Sequence, residues 1–226
     1  MPRILFIFTS AAKNLTGEPT GWYLPEAAHP YYVLAPHFDI DFAAPLGPNP
    51  PVQPESVTGF KDDALSMKFH NDDEVVKHKL ATAKKLDEIK VDDYVAIFYP
   101  GGHGPVLDLA TDALNIKFAS EFWRAGKIVS AVCHGPAALV GVTDASGKSI
   151  FDGRVVTAFT NEEEDGINGR PLIPFLVEDK IVKLGGRFEK GPAFGSKVHV
   201  DGRLITGQNP ASAQGVGEAL LKALQA

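Results

Sequence analysis

Short uninterrupted apolar runs alternate along the chain with longer amphipathic stretches. The runs cover residues 4–8, 40–44, 94–99, 128–132 and 155–159. They are continuous instead of alternating, the pattern of strands covered on both faces. Between them, residues 25–35, 74–89, 114–125, 136–141 and 175–184 carry helical spacing. Strand–helix alternation predicts an α/β fold with a doubly wound, mainly parallel sheet sandwiched by helices. Two stretches break the rhythm. Residues 45–68 open with Pro-Leu-Gly-Pro-Asn-Pro-Pro and read as an insertion or small lid on a single domain spanning 1–226. Around residues 197–206, Asp201-Gly202 between apolar flanks signals a two-residue hairpin. A closing helix is expected over 211–224, with Asn209 as its cap and Pro210 in its first turn.

The chemistry concentrates where the run 128–132 stops. Cys133-His134-Gly135-Pro136 follows at once and leads into helical spacing, the layout of a nucleophile elbow. Such a turn presents its nucleophile at the carboxyl edge of the sheet, where open α/β sheets bind ligands. The helix beginning beyond it is expected to lower the thiol pKa. A second turn, Pro100-Gly101-Gly102-His103-Gly104, follows the run 94–99. Its amides, with that of His134, suit an oxyanion hole, which makes Gly101, Gly102 and His103 candidate substrate-binding residues. Glu26 falls in a first helical turn among Trp22, Tyr23 and Leu24, company that favours a partly buried, protonated carboxyl. Asn161-Glu162-Glu163-Glu164-Asp165 follows the run 155–159, and one of its carboxylates can orient His134.

Composition narrows the classes. The net charge of −6 gives no general attraction to phosphate backbones or anionic lipid, so no nucleic-acid or membrane partner is expected. One cysteine excludes an internal disulfide framework, and no run approaches the roughly 20 apolar residues of a membrane span. An intracellular, cytoplasmic protein is the expectation. Gly147-Lys148-Ser149 lacks the spacing and leading strand of a phosphate loop, and no Gly-x-Ser-x-Gly is present. The seven histidines are scattered, so neither an obligatory metal nor any cofactor is expected, although His103 is near enough to the site to bind an adventitious ion.

Taken together, these segments resemble the ThiJ/PfpI superfamily, of the flavodoxin-like, class I glutamine amidotransferase-like fold. The branch they are most similar to is that of glutathione-independent glyoxalases (glyoxalase III) and heat-inducible chaperones. The likeness is carried by the Trp-Tyr-x-Pro-Glu segment around Glu26, Pro-Gly-Gly-His-Gly, Ala-Val-Cys-His-Gly-Pro-Ala-Ala-Leu, Thr-Ala-Phe-Thr-Asn-Glu-Glu-Glu and Asp-Gly-Arg-Leu-Ile-Thr-Gly-Gln-Asn-Pro. The resemblance implies Cys133 as nucleophile, His134 as base and Glu26 as the acid beside the sulfur. It implies a carboxylate behind His134, for which the offset from Phe159 favours Glu164, with Glu162, Glu163 and Asp165 as competitors. It also implies a homodimer and conversion of methylglyoxal, a 2-oxoaldehyde, to lactate through a Cys133 hemithioacetal. A holdase chaperone, and a cysteine-dependent amidase, deglycase or peptidase, are the alternatives.

Overall fold

The computed structural model describes residues 1–226. Its strands are β1 (Arg3–Ile7), β2 (Asp39–Ala44), β3 (Lys84–Lys85), β4 (Ala96–Tyr99), β5 (Ile128–Val132), β6 (Val155–Val156), β7 (Arg187–Phe188), β8 (Val198–Asp201) and β9 (Leu204–Gly207). Seven of them form one sheet in the order β3-β2-β1-β4-β5-β9-β8, parallel throughout except for the β8–β9 hairpin. Alternate residues of each apolar run feed two separate cores. Leu5, Ile7, Ile97, Tyr99, Val129 and Ala131 pack against helix α6 (Ala113–Arg124) through Phe118, Phe122 and Trp123. Ile4, Phe6, Phe98 and Val132 face the other way, against α1 (Leu24–Leu34) and the C-terminal helix (Ala213–Gln225). Burial on both sides is why these strands show no polar alternation. The doubly wound, mainly parallel α/β sheet expected from the sequence is therefore the fold.

Several local readings change. The helix expected over 74–89 stops at Ala81, and Lys84–Lys85 joins the sheet edge beside β2. Residues 155–159 do not enter the main sheet. Val155–Val156 pairs with β7, and the next amides are taken elsewhere: Thr157 N–H by the Thr206 hydroxyl, Phe159 N–H by the Cys133 carbonyl. The two-residue hairpin loop is Gly202-Arg203, one position later than expected, because Asp201 still pairs with Leu204. Asn209 does not cap the last helix; its amide nitrogen binds Glu163 and the Gly195 carbonyl instead. Within 45–68, two short helices (Pro54–Gly59 and Ala64–Met67) follow an extended arm. That arm lies along Trp22, whose indole N–H donates to the Pro50 carbonyl at 3.0 Å, and it carries Gln53 to the carboxyl ends of the strands.

Candidate active site

Cys133 follows β5 directly. Its N–H donates to the Gly207 carbonyl and its carbonyl accepts from Phe159 N–H, both at 2.9 Å. Between these anchors the residue has φ 61°, a left-handed backbone that costs a side-chain-bearing residue about 1–2 kcal/mol. The twist turns the thiol into a cleft of about 100 Å³ at the carboxyl ends of β4 and β5. The sulfur lies 3.3 Å from Nδ1 of His134.

The other imidazole nitrogen is held from behind. Helix α7 (Asn161–Gly166) starts with a capping box in which the Thr160 side chain accepts from Glu163 N–H and the Glu163 carboxylate accepts from Thr160 N–H. That fixed first turn aims the next carboxylate, Glu164, at His134, with Oε2 2.6 Å from Nε2. Oε1 of Glu164 lies 2.9 Å from Nε2 of His103, so one carboxylate receives two imidazoles. Gly169 permits this: a Cβ there would collide with Oε1 of Glu164. Burial opposes ionisation of Glu164, but His134 and His103 outweigh it and hold the carboxyl well below its ordinary range. Burial likewise depresses His134, against the pull of Glu164, and keeps it neutral. With Nε2–H given to Glu164, Nδ1 presents a lone pair to the thiol, the arrangement a base requires. Of the competing carboxylates, Glu163 is buried in its own hydrogen bonds, Asp165 pairs with Arg170, and Glu162 is exposed.

Glu26, on α1, is fully buried, and its Oε2 accepts from Gly101 N–H at 2.8 Å. Gly101 is required there, since a Cβ would stand 2.6 Å from that oxygen and 2.7 Å from the His134 nitrogen. Burial pushes the Glu26 pKa up to about 8, with Cys133 and the Gly101 amide pulling it partway back. Oε1 has no hydrogen-bond partner and Cys133 is its titrating neighbour, so a proton on Glu26 serves the sulfur. In the unfolded chain this carboxyl titrates near 4.5. Between that value and about 8 the unfolded chain has released a proton that the folded chain retains. Folding stability therefore declines as pH rises across this window and levels off above it. Glu26→Gln removes the effect, on the order of a few kcal/mol. Urea unfolding at about pH 5 and about pH 8.5 should show wild type losing markedly more stability than the variant; equal losses would contradict a buried neutral Glu26.

The expectation of a thiol acidified by a following helix is overturned. Gly135–Leu139 is a five-residue 3₁₀ turn, too short for a substantial dipole, and Cys133 is only 3% exposed. Burial pushes the thiol up instead, reinforced by Glu26 when that carboxyl ionises. The oxyanion donors also narrow. Gly101 N–H is spent on Glu26, and His103 N–H donates to Oε1 of Gln53 at 3.2 Å. The amides of Gly102 and His134 are left without a protein oxygen acceptor, and that of Gly102 faces the Cys133 sulfur.

The walls of the cleft come from residues that no sequence motif marks as such. Tyr23, Gln53, Phe159, Ile167, Phe194 and Pro210 complete it. Phe194 is half exposed with φ 59°, and its N–H is tied to Oε1 of Glu163 at 2.7 Å. Gln208 and Asn209 donate to the same oxygen, so Glu163 ties the 190s loop to α7. No local pattern signals these contacts, which join segments far apart in sequence. The ligand atoms of His103, His134 and Glu164 lie within 4.8 Å of one another, the one cluster suited to a cation. Both Nε2 atoms are already hydrogen-bonded to the carboxylate, so a cation there would displace those protons.

Residues 69–223 match the model of the DJ-1/PfpI family. The glutathione-independent glyoxalase HSP31 of Saccharomyces cerevisiae is 32% identical over 219 residues, covering 92% of this chain and 91% of its own length. Among solved structures, the Rapid Encystment Protein 24 kDa of Francisella tularensis superimposes with a TM-score of 0.93 at 31% identity, over 99% of both chains. Glyoxalase III of Candida albicans gives 0.86 at 26% identity, over 98% of this chain and 97% of its own. None of the described helices is long and apolar enough to cross a membrane.

Proposed function

This chain belongs to the DJ-1/PfpI family, and from that premise we propose that it is a cysteine-dependent, glutathione-independent glyoxalase that converts methylglyoxal to lactate. The observation that carries the reading is the short relay Cys133–His134–Glu164, with a protonated Glu26 on the other side of the sulfur. The size of the cleft, about 100 Å³, supports a three-carbon dicarbonyl over a peptide at the sulfur.

The groups divide the reaction as follows. Nδ1 of His134 takes the thiol proton as the sulfur adds to the aldehyde carbon, giving a hemithioacetal. The Gly102 and His134 amides bind the oxygen on which charge develops. Glu164 steadies the imidazolium. Glu26, near its titration point, gives and takes the proton that moves from the aldehyde carbon to its neighbour through an enediol, leaving a lactoyl thioester on Cys133. Hydrolysis frees lactate. Gly101 and the backbone of His103 act here by placing Glu26 and Gln53. The same proposal takes residues 1–226 as one domain with an insertion at about 45–68, acting as a cytoplasmic homodimer; it rests on the family likeness. The test is direct: purified protein and methylglyoxal, with glutathione absent, should yield lactate in a chiral assay. Absence of lactate, with the protein folded and the thiol reduced, would reject the activity.

A further inference from the structure

Making lactate on a thiol ends with a hydrolysis that the Cys–His–Glu relay is poorly placed to serve. The preceding isomerisation expels nothing: a proton moves between two carbons and every substrate atom stays in the cleft. A peptidase gains room for its water beside the histidine when its leaving group departs, and no such room opens here. His134 is moreover engaged at both nitrogens, 3.3 Å from the sulfur and 2.6 Å from Glu164. Water has to approach from another side.

His103 occupies one. Its Nε2 lies 2.9 Å from Oε1 of Glu164, so in the neutral tautomer that donates to this carboxylate Nδ1 carries the lone pair. Nδ1 makes no hydrogen bond to protein and is not among the fully buried unpartnered atoms, so it has access to open space. His103 lines both the cleft at Cys133 and a second cavity of about 280 Å³. That second cavity is edged by the polar side chains of Asn14, Thr20, Gln53 and Glu55 and by the apolar Pro19, Ile167 and Leu172. It is a chamber of mixed polar and apolar lining that adjoins the sulfur cleft, with His103 at the junction.

We propose that His103 is the general base that hydrolyses the lactoyl thioester, drawing water from this chamber. Water loses a proton to Nδ1 while its oxygen bonds to the thioester carbonyl carbon. The carbon–sulfur bond then breaks, the electron pair stays on sulfur, and the proton held by His103 returns to it. The products are lactic acid and free thiol, with no other reactant. Glu164 stabilises imidazolium on His134 in the first half of the cycle and on His103 in the second.

The inference rests on the glyoxalase reading, and the experiment separates the two. Wild type and His103→Gln are mixed with methylglyoxal, quenched over the first turnovers, and followed by intact-protein mass and by lactate release. Gln keeps an N–H donor for Glu164 and removes the basic nitrogen. Acylation should remain within about threefold of wild type while steady turnover falls about a hundredfold. The variant should accumulate an adduct of one methylglyoxal mass on Cys133 that hydroxylamine releases as lactohydroxamic acid, which marks it as the lactoyl thioester and not the isobaric hemithioacetal. Hydroxylamine, which cleaves thioesters unaided, should restore turnover as the hydroxamate. An unchanged rate of Cys133 alkylation by iodoacetamide certifies the fold and the remaining relay; His103→Asn replaces the Gln variant if that control fails. No adduct, with acylation and turnover falling together, overturns the role of His103 alone. No lactate from wild type overturns the glyoxalase reading and the role with it.

Discussion

Cys133→Ala should reduce lactate formation from methylglyoxal to the uncatalysed background, a loss of about 10⁴-fold or more, because no second thiol exists in the chain to form the hemithioacetal. The fold should survive. The residue sits at φ 61°, where alanine is no more strained than cysteine, and its backbone anchors to Gly207 and Phe159 do not involve the side chain. A melting temperature within about 4 °C of wild type corresponds to no more than about 2 kcal/mol for a domain of this size. The measurement is a chiral lactate assay beside a thermal melt. The variant also separates enzyme from holdase: suppression of aggregation of a client protein should be unaffected by losing one buried sulfur. Lactate turnover retained in the alanine variant would remove the thiol from the mechanism altogether.

Glu164→Gln should cost about 10²- to 10⁴-fold in kcat, although the two side chains have the same shape. The carboxylate accepts from two imidazoles, one on each oxygen. An amide offers one oxygen and one NH₂, so whichever imidazole meets the NH₂ must turn its Nε2 into an acceptor and place its proton on Nδ1. If that ring is His134, the base arrives at the sulfur already protonated on the wrong nitrogen. If it is His103, its Nδ1 loses the lone pair that faces the chamber. Both outcomes also remove the negative charge that offsets an imidazolium in this buried setting. The loss should appear in kcat more than in KM, since Glu164 is behind the histidines and not at the substrate. Alkylation of Cys133 should slow as well. A Gln variant with wild-type kcat would show that the carboxylate only fills space.

The elements that place Cys133 are legible in the sequence because each is local. A continuous apolar run ending in Cys-His-Gly-Pro dictates a buried strand and a sharp turn, and Cys133 indeed follows the last residue of β5. Glu164 was legible by its offset, but what selects it over Glu163 is the capping box at Thr160, which consumes Glu163 and leaves its successor aimed inward. The misreadings come from competition at a distance. Residues 74–89 carry helical spacing, yet Lys84 and Lys85 are drawn to the open edge of β2. Residues 155–159 look like a core strand, yet their amides find Thr206 and Cys133 before a neighbouring strand can claim them. The thiol was expected to be acidified because a helix N-terminus is visible in sequence, whereas the burial that reverses the effect is set by tertiary packing. Phe194 and Ile167 gave no sign at all, since a side chain over a cleft has no period.

Phe194 and its tether to Glu163 also divide the site into two parts. The Cys133–His134–Glu164 contacts stand on the sheet edge and on α7. The aromatic overhang belongs to a surface segment held by its backbone alone: the Phe194 amide on Glu163, and the Pro192 and Gly195 carbonyls on Gln208 and Asn209. Substitutions around residues 192–196 that keep these backbone bonds should therefore reshape what the cleft admits and leave the Cys133–His134–Glu164 contacts in place.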